Sequence, residues 1–169
     1  TAGNSSQGAS SVAIGDTAGQ SIQGTLAVAI GHDAGTISQG ANSVAMGNLA
    51  GGLAQSSQSV AVGNAAGQLT QGISSVAMGY LAGNNTQGDS SVAIGDEAGK
   101  TSQGADSVAI GNNAGLSQGA NAIAIGAGAG ITSQVADSIC LNTTAGEGTD
   151  VVATSGFFVN PVAITTEGG

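Results

Sequence analysis

The sequence predicts an all-β chain, a parallel β-solenoid with one coil per sixteen-residue repeat, and three observations point to it. A block read as SVAIGxxAGxxxQGxx recurs almost from end to end, large apolar residues within it stand two apart, and glycine punctuates it at three places. Blocks open at Ser11, Ala27, Ser43, Ser59, Ser75, Ser91, Ser107 and Ala122, with one residue dropped between Gly115 and Gln118 and a decayed copy opening at Ser138. Thr1 to Ser10 reads as the back part of an earlier block, so the chain is expected to be a piece of a longer fibre. Self-similarity at a fixed period marks a solenoid and argues against a globular enzyme.

The first element of each block is a strand. Val12 and Ile14, Val28 and Ile30, Val44 and Met46, Val60 and Val62, Val76 and Met78, Val92 and Ile94, Val108 and Ile110, and Ile123 and Ile125 are spaced by two, the periodicity of extended chain. Ala stands between them in every full block, from Ala13 to Ala124, so the opposite face of the strand is uniformly small and open to close approach by other backbone.

Turns follow. Gly15, Gly31, Gly47, Gly63, Gly79, Gly95, Gly111 and Gly126 close the strands, an Ala-Gly pair such as Ala18 and Gly19 comes next, and Gln-Gly, as in Gln23 and Gly24, is the third punctuation. Between them only short strands fit, and no helix of ordinary length survives. Each strand is expected to pair in parallel with its copy one coil along, about 4.8 Å away.

Gln recurs in one column, at Gln7, Gln23, Gln39, Gln55, Gln71, Gln87, Gln103, Gln118 and Gln134. An amide both donates and accepts, so stacked copies are expected to bond one another in a side-chain ladder with a structural role. The large apolar residues of a coil are too few to offset the backbone entropy of ordering it. Several chains are therefore expected to associate through their small flat faces.

Composition excludes several partners. There are 31 Gly, no Trp, one Tyr and two Phe, and a single Lys faces ten acids for a formal net charge of -9. Nucleic acid and anionic bilayers both require clustered Lys and Arg, so neither is an expected partner. No apolar run approaches the roughly 20 residues of a membrane helix, and no charged segment precedes an apolar one at the start. The chain is expected to be soluble and not to insert in a membrane. Cys140 is the sole cysteine, which excludes an intrachain disulfide framework and leaves the redox compartment unread.

The residues SVAIG, followed by Ala-Gly and a second turn, resemble the head repeat of trimeric autotransporter adhesins, the YadA-like head. That resemblance implies a left-handed parallel β-roll, three of which associate as a homotrimer. The longer block with AG and QG punctuation, as in SVAIGDEAGKTSQGAD, is similar to head repeats in fibre proteins of large DNA viruses and phages. Ser138 to Leu141 (SICL) and Ser155 to Val162 (SGFFVNPV) resemble the segment that ends such heads. Two things depart from the adhesin pattern: each repeat carries two extra residues, and no coiled-coil stalk is recognisable. Residues 1–146 are read as the repeat head and 147–169 as a non-repeating cap or connector, with Phe157, Phe158 and Pro161 covering the last coil and its unpaired edge.

Candidate sites are few. The column after the first Gly varies, with Asp16, His32, Asn48, Asn64, Tyr80, Asp96, Asn112 and Ala127, and offers a lateral surface, although small polar residues also suit a turn there. His32 beside Asp33 has no nucleophile at a fixed spacing and reads as a turn histidine. Asp16, Asp33, Asp89, Asp96, Asp106 and Asp137 fall in several columns, so they give no periodic calcium site. Gly126, Gly128 and Gly130 spell GxGxG without a following helix or Lys. Cys140 takes the place of the strand Ala and reads as a small hydrophobe. No catalytic, cofactor or metal residue is assigned.

The expected function is a non-enzymatic attachment module, the rigid trimeric head of a fibre on a virion or cell surface. It lies outside the cell, and its partners are its own copies and a surface receptor or glycan that no motif encodes. Three chains add avidity. The alternative is an ice-binding solenoid, for which the column Ser21, Ile37, Leu53, Leu69, Asn85, Thr101 and Thr132 is irregular. A polysaccharide-cleaving β-helix requires clustered carboxylates and usually aromatic platforms, and the repeats offer only Tyr80 as an aromatic.

Overall fold

The computed structural model describes residues 1–142 and 155–160. Each block from the one at Ser11 to the one at Ser107 contributes one three-residue and one two-residue strand. The short ones, Ser6–Gln7, Ile22–Gln23, Ser38–Gln39, Ala54–Gln55, Thr70–Gln71, Thr86–Gln87, Ser102–Gln103 and Ser117–Gln118, line up in chain order as an eight-stranded sheet. The others, from Val12–Ile14 to Ile123–Ile125, form a second sheet of ten strands, completed by Ile139–Asn142 and Phe157–Asn160.

All pairings are parallel and in register. Val76 pairs with Val60 on one side and Val92 on the other, Ala77 with Ala61 and Ala93, and Gln87 with Gln71 and Gln103. The chain is thus an all-β parallel solenoid. The residue missing after Gly115 is absorbed in a turn, where the Leu116 carbonyl accepts from both Thr101 N (2.9 Å) and Ser102 N (3.2 Å).

The interior corrects one expectation. The small face of the strand, not the large one, fills the coil: Ala29, Ala45, Ala61, Ala77, Ala93, Ala109 and Ala124 are fully buried, as are Ala18, Ala34, Ala50, Ala66, Ala82, Ala98, Ala114 and Ala129 of the Ala-Gly turns. Cys140 continues the Ala stack, paired with Ala124. A coil this short leaves a lumen only wide enough for methyl groups and one amide, so Val and Ile must point outward. The small faces are therefore spent inside each chain and are not available to join chains.

Turn geometry is equally repetitive. The glycine that ends each long strand has φ near +128° in most coils, as at Gly63 and Gly95, and Gly79 has φ +131°. A second column is left-handed without being glycine: Thr17, Asp33, Leu49, Ala65, Leu81, Glu97 and Asn113 have φ between 53° and 58°. Asn and Asp tolerate this region, whereas Leu is strained in it. What holds Leu49 and Leu81 there is the stack, since their amides donate to the carbonyls of His32 and Asn64, both at 3.0 Å, one coil back.

Candidate functional site: an apolar stripe and a bridged lumen

With Ala facing inward, the ten-stranded sheet turns its large side chains to the outside. Val12, Ile14, Met46, Met78, Ile94 and Ile125 are each more than a third exposed, while Val28, Ile30, Val44, Val76, Val92 and Val108 are half-buried. Because the strands are in register, these residues form two adjacent apolar rows along the length of the described coils. An apolar stripe of this length on a chain of net charge -9 is a surface that water disfavours.

The Gln column differs from the expected ladder. Gln23, Gln39, Gln55, Gln71, Gln87 and Gln103 are buried, and each crosses the lumen to donate Nε2 to a carbonyl of the opposite sheet. The acceptors are Val12, Val28, Val44, Val60, Val76 and Val92, at 2.7 to 2.8 Å. Only Gln118 bonds another Gln, donating to Oε1 of Gln134 at 3.1 Å. The reason is reach: a carbonyl directly across a lumen one side chain wide offers a straight bond. Stacked amides about 4.8 Å apart would have to tilt to meet. The carbonyl ends, Oε1 of Gln23 through Gln118, are buried without a hydrogen-bond partner and press on the turn. A Cβ at Gly83 would lie 2.7 Å from Oε1 of Gln87, which explains the glycine there.

Changing Gln71 to Leu is expected to leave the Val60 carbonyl without its donor and lower stability by about 2 kcal/mol. The exposed Gln58, changed to Leu, is expected to have little effect. Denaturant unfolding of the two variants checks this.

A short amide ladder does exist on the outside. Asn64 Nδ2 donates to Asn48 Oδ1 at 3.1 Å, and Asn48 Nδ2 lies 3.1 Å from His32 Nδ1, which is also 3.0 Å from Asp33 Oδ2. Thr17 donates to Asp33, and Asn121 to Asp137 at 2.9 Å. The Thr1 ammonium, 3.1 Å away, holds the Asp16 carboxyl below its ordinary value. Asp16, His32, Asn48 and Asn64 belong to the varied column, where Tyr80 is also exposed.

Sequence reasoning does not single out Asn84. It is buried, and its Nδ2 donates to the Ala65 carbonyl at 2.8 Å and to Gln68 Oε1 at 3.1 Å. Nothing in its block distinguishes it from Asn85, which is half-exposed.

Of the tail residues, Phe157, Phe158 and Val159 form a strand paired with Ile139, Cys140 and Leu141. Phe158 packs on the Ala core while Phe157 is exposed. Pro161 lies outside the described residues.

Among the described residues no group of three or more His, Cys, Asp or Glu is placed to hold a metal ion, and no helix is long and apolar enough to cross a membrane. A shallow depression of about 300 Å³ beside Ser38, Gln55, Ser57 and Ile73 is lined by no ionisable side chain.

The family described as the YadA head domain repeat matches residues 23–50, 71–98 and 101–114, in two copies. No curated protein and no solved structure matches the chain. Matched segments and geometry agree: this is a parallel β-solenoid similar, over those stretches, to the YadA head repeat.

Proposed function

We propose that the chain is the rigid head of a homotrimeric attachment fibre, displayed on a cell or virion surface, with its coils wound left-handed and one coil per sixteen residues. The observation that carries this reading is the apolar stripe on the ten-stranded sheet, which runs unbroken past Ile14, Met46, Met78, Ile94 and Ile125. Three such stripes turned toward a common axis remove their side chains from water, and burial of a single Ile or Met contributes roughly 1.5 to 3 kcal/mol. The number three and the handedness come from the likeness to the YadA head repeat. The eight-stranded sheet and the varied column then face outward, where a receptor or glycan would be met. Residues 147–169 serve as cap or connector, the stacking of Phe158 on the last Ala layers being the start of that cover.

Light scattering at micromolar concentration tests the assembly. The unaltered chain is expected to run as a trimer, and Met78→Asp, which places a charge in the stripe without touching the lumen, as a smaller species. A monomer mass for the unaltered chain overturns the trimer and the fibre reading with it. The ice-binding alternative has a flatter candidate in the outward column of the eight-stranded sheet, with Ser38, Thr70, Thr86, Ser102 and Ser117, but Ile22 and Ala54 interrupt it. Thermal hysteresis in solution would favour that alternative.

A further inference from the structure

Lys100 is the only Lys or Arg of the chain, and its ammonium lies 2.7 Å from Oε1 of Glu97, both side chains being about two thirds buried, with exposures of 33% and 29%. It shares a column with Asn84. Gly83 N donates to the Ala98 carbonyl at 2.8 Å and Asn85 N to the Lys100 carbonyl at 2.9 Å, so Asn84 and Lys100 are neighbours in the stack. Their backbones are therefore about 4.8 Å apart. Both hydrogen bonds of Asn84 Nδ2 run to the preceding coil, at Ala65 and Gln68. The amide nitrogen is thus held toward the preceding coil, whereas Lys100 lies in the following one. An amine, a carboxylate and a buried primary amide are brought to one edge of two adjoining coils.

We propose that Lys100 and Asn84 join in an intramolecular isopeptide bond, with Glu97 as proton carrier. Glu97 takes a proton from the ammonium, and the freed Nζ lone pair attacks Cγ of Asn84. A second proton passes from Nζ to Nδ2 as the tetrahedral adduct forms, the Cγ–Nδ2 bond breaks, and Glu97 returns its proton to the departing nitrogen. One Nζ–Cγ bond replaces one Cγ–Nδ2 bond, and one ammonium ion leaves. No oxidant or other reactant is needed. The bond would rivet two successive coils of a stack whose coils otherwise hold to one another by hydrogen bonds and methyl packing. This inference rests on the fold alone and stands or falls independently of the trimer.

Trypsin and an intact mass test it on the full chain after denaturation. With a single Lys and no Arg, the chain has one tryptic site, after Lys100. The expected result is a mass lighter than the sequence by one ammonia and resistance to cleavage at that site. Lys100→Arg is expected to restore both the full mass and the cleavage, and Asn84→Ala the full mass. Glu97→Gln is expected to slow ammonia loss on the order of a hundredfold. A full sequence mass with complete cleavage of the unaltered chain overturns the proposal even if every variant fails to fold. Ammonia loss that persists in Lys100→Arg also overturns it, because it would then come from an asparagine cyclising on its own backbone.

Discussion

Replacing Ala77 by Leu is expected to cost roughly 3 kcal/mol per chain and to disrupt the coils on either side. Ala77 has no exposed surface, is stacked between Ala61 and Ala93, and lies 3.3 Å from the position a Cβ would take at Gly83. The three added carbons have no volume to enter, and neither sheet can move outward without breaking the bond from Gln87 to the Val76 carbonyl at 2.7 Å. Thr86→Leu, with the same larger side chain on the outward face of the same coil, is expected to shift stability by about 0.5 kcal/mol or less. Thermal unfolding followed by circular dichroism compares them, and equal melting temperatures would remove Ala77 from the lumen.

The second large effect is expected at Gly79. Its φ of +131° is a conformation L-residues rarely adopt, and a Cβ there would stand 2.4 Å from the carbonyl oxygen of Gly95. That oxygen belongs to backbone and cannot swing aside. Gly79→Ala should therefore destabilise the chain by roughly 3 kcal/mol, from backbone strain with the clash added. Gly52 gives the contrast: its column holds Thr36 and Gln68 in the flanking coils, so Gly52→Ala is expected to be tolerated. Limited proteolysis of the two variants, alongside a melt, reads the difference. Comparable resistance would mean that adjoining coils can separate at Gly79 without loss.

The period carried the strands, their parallel pairing and their register, because one repeating pattern can stack on itself in register only by pairing each residue with its own copy. What alternation does not carry is which face turns inward. Val76 and Ala77 read the same in either orientation, and the choice depends on the width of the lumen, which appears only once two sheets and their turns have closed a coil. The same limit governs Gln87. Its column was legible, but its partner across the lumen was not, since Val76 lies eleven residues back and in the other sheet. Asn84 was hidden for a different reason, for its burial depends on Gln68 one coil away and on no feature of its own block. The apolar stripe was visible as letters, Val12 and Ile14 onward, but the side to which it turns was not.

The in-register stack also bears on length. Each coil meets only the coil before and the coil after, so excising residues 75–90 as a unit would bring Val60 against Val92 with the same partners on both sides. The length of the stack can therefore be set by the number of blocks, each duplication or loss changing it by about 4.8 Å while the surface chemistry changes column by column. The fold works as a ruler whose graduations can be added or removed without recalibrating the rest.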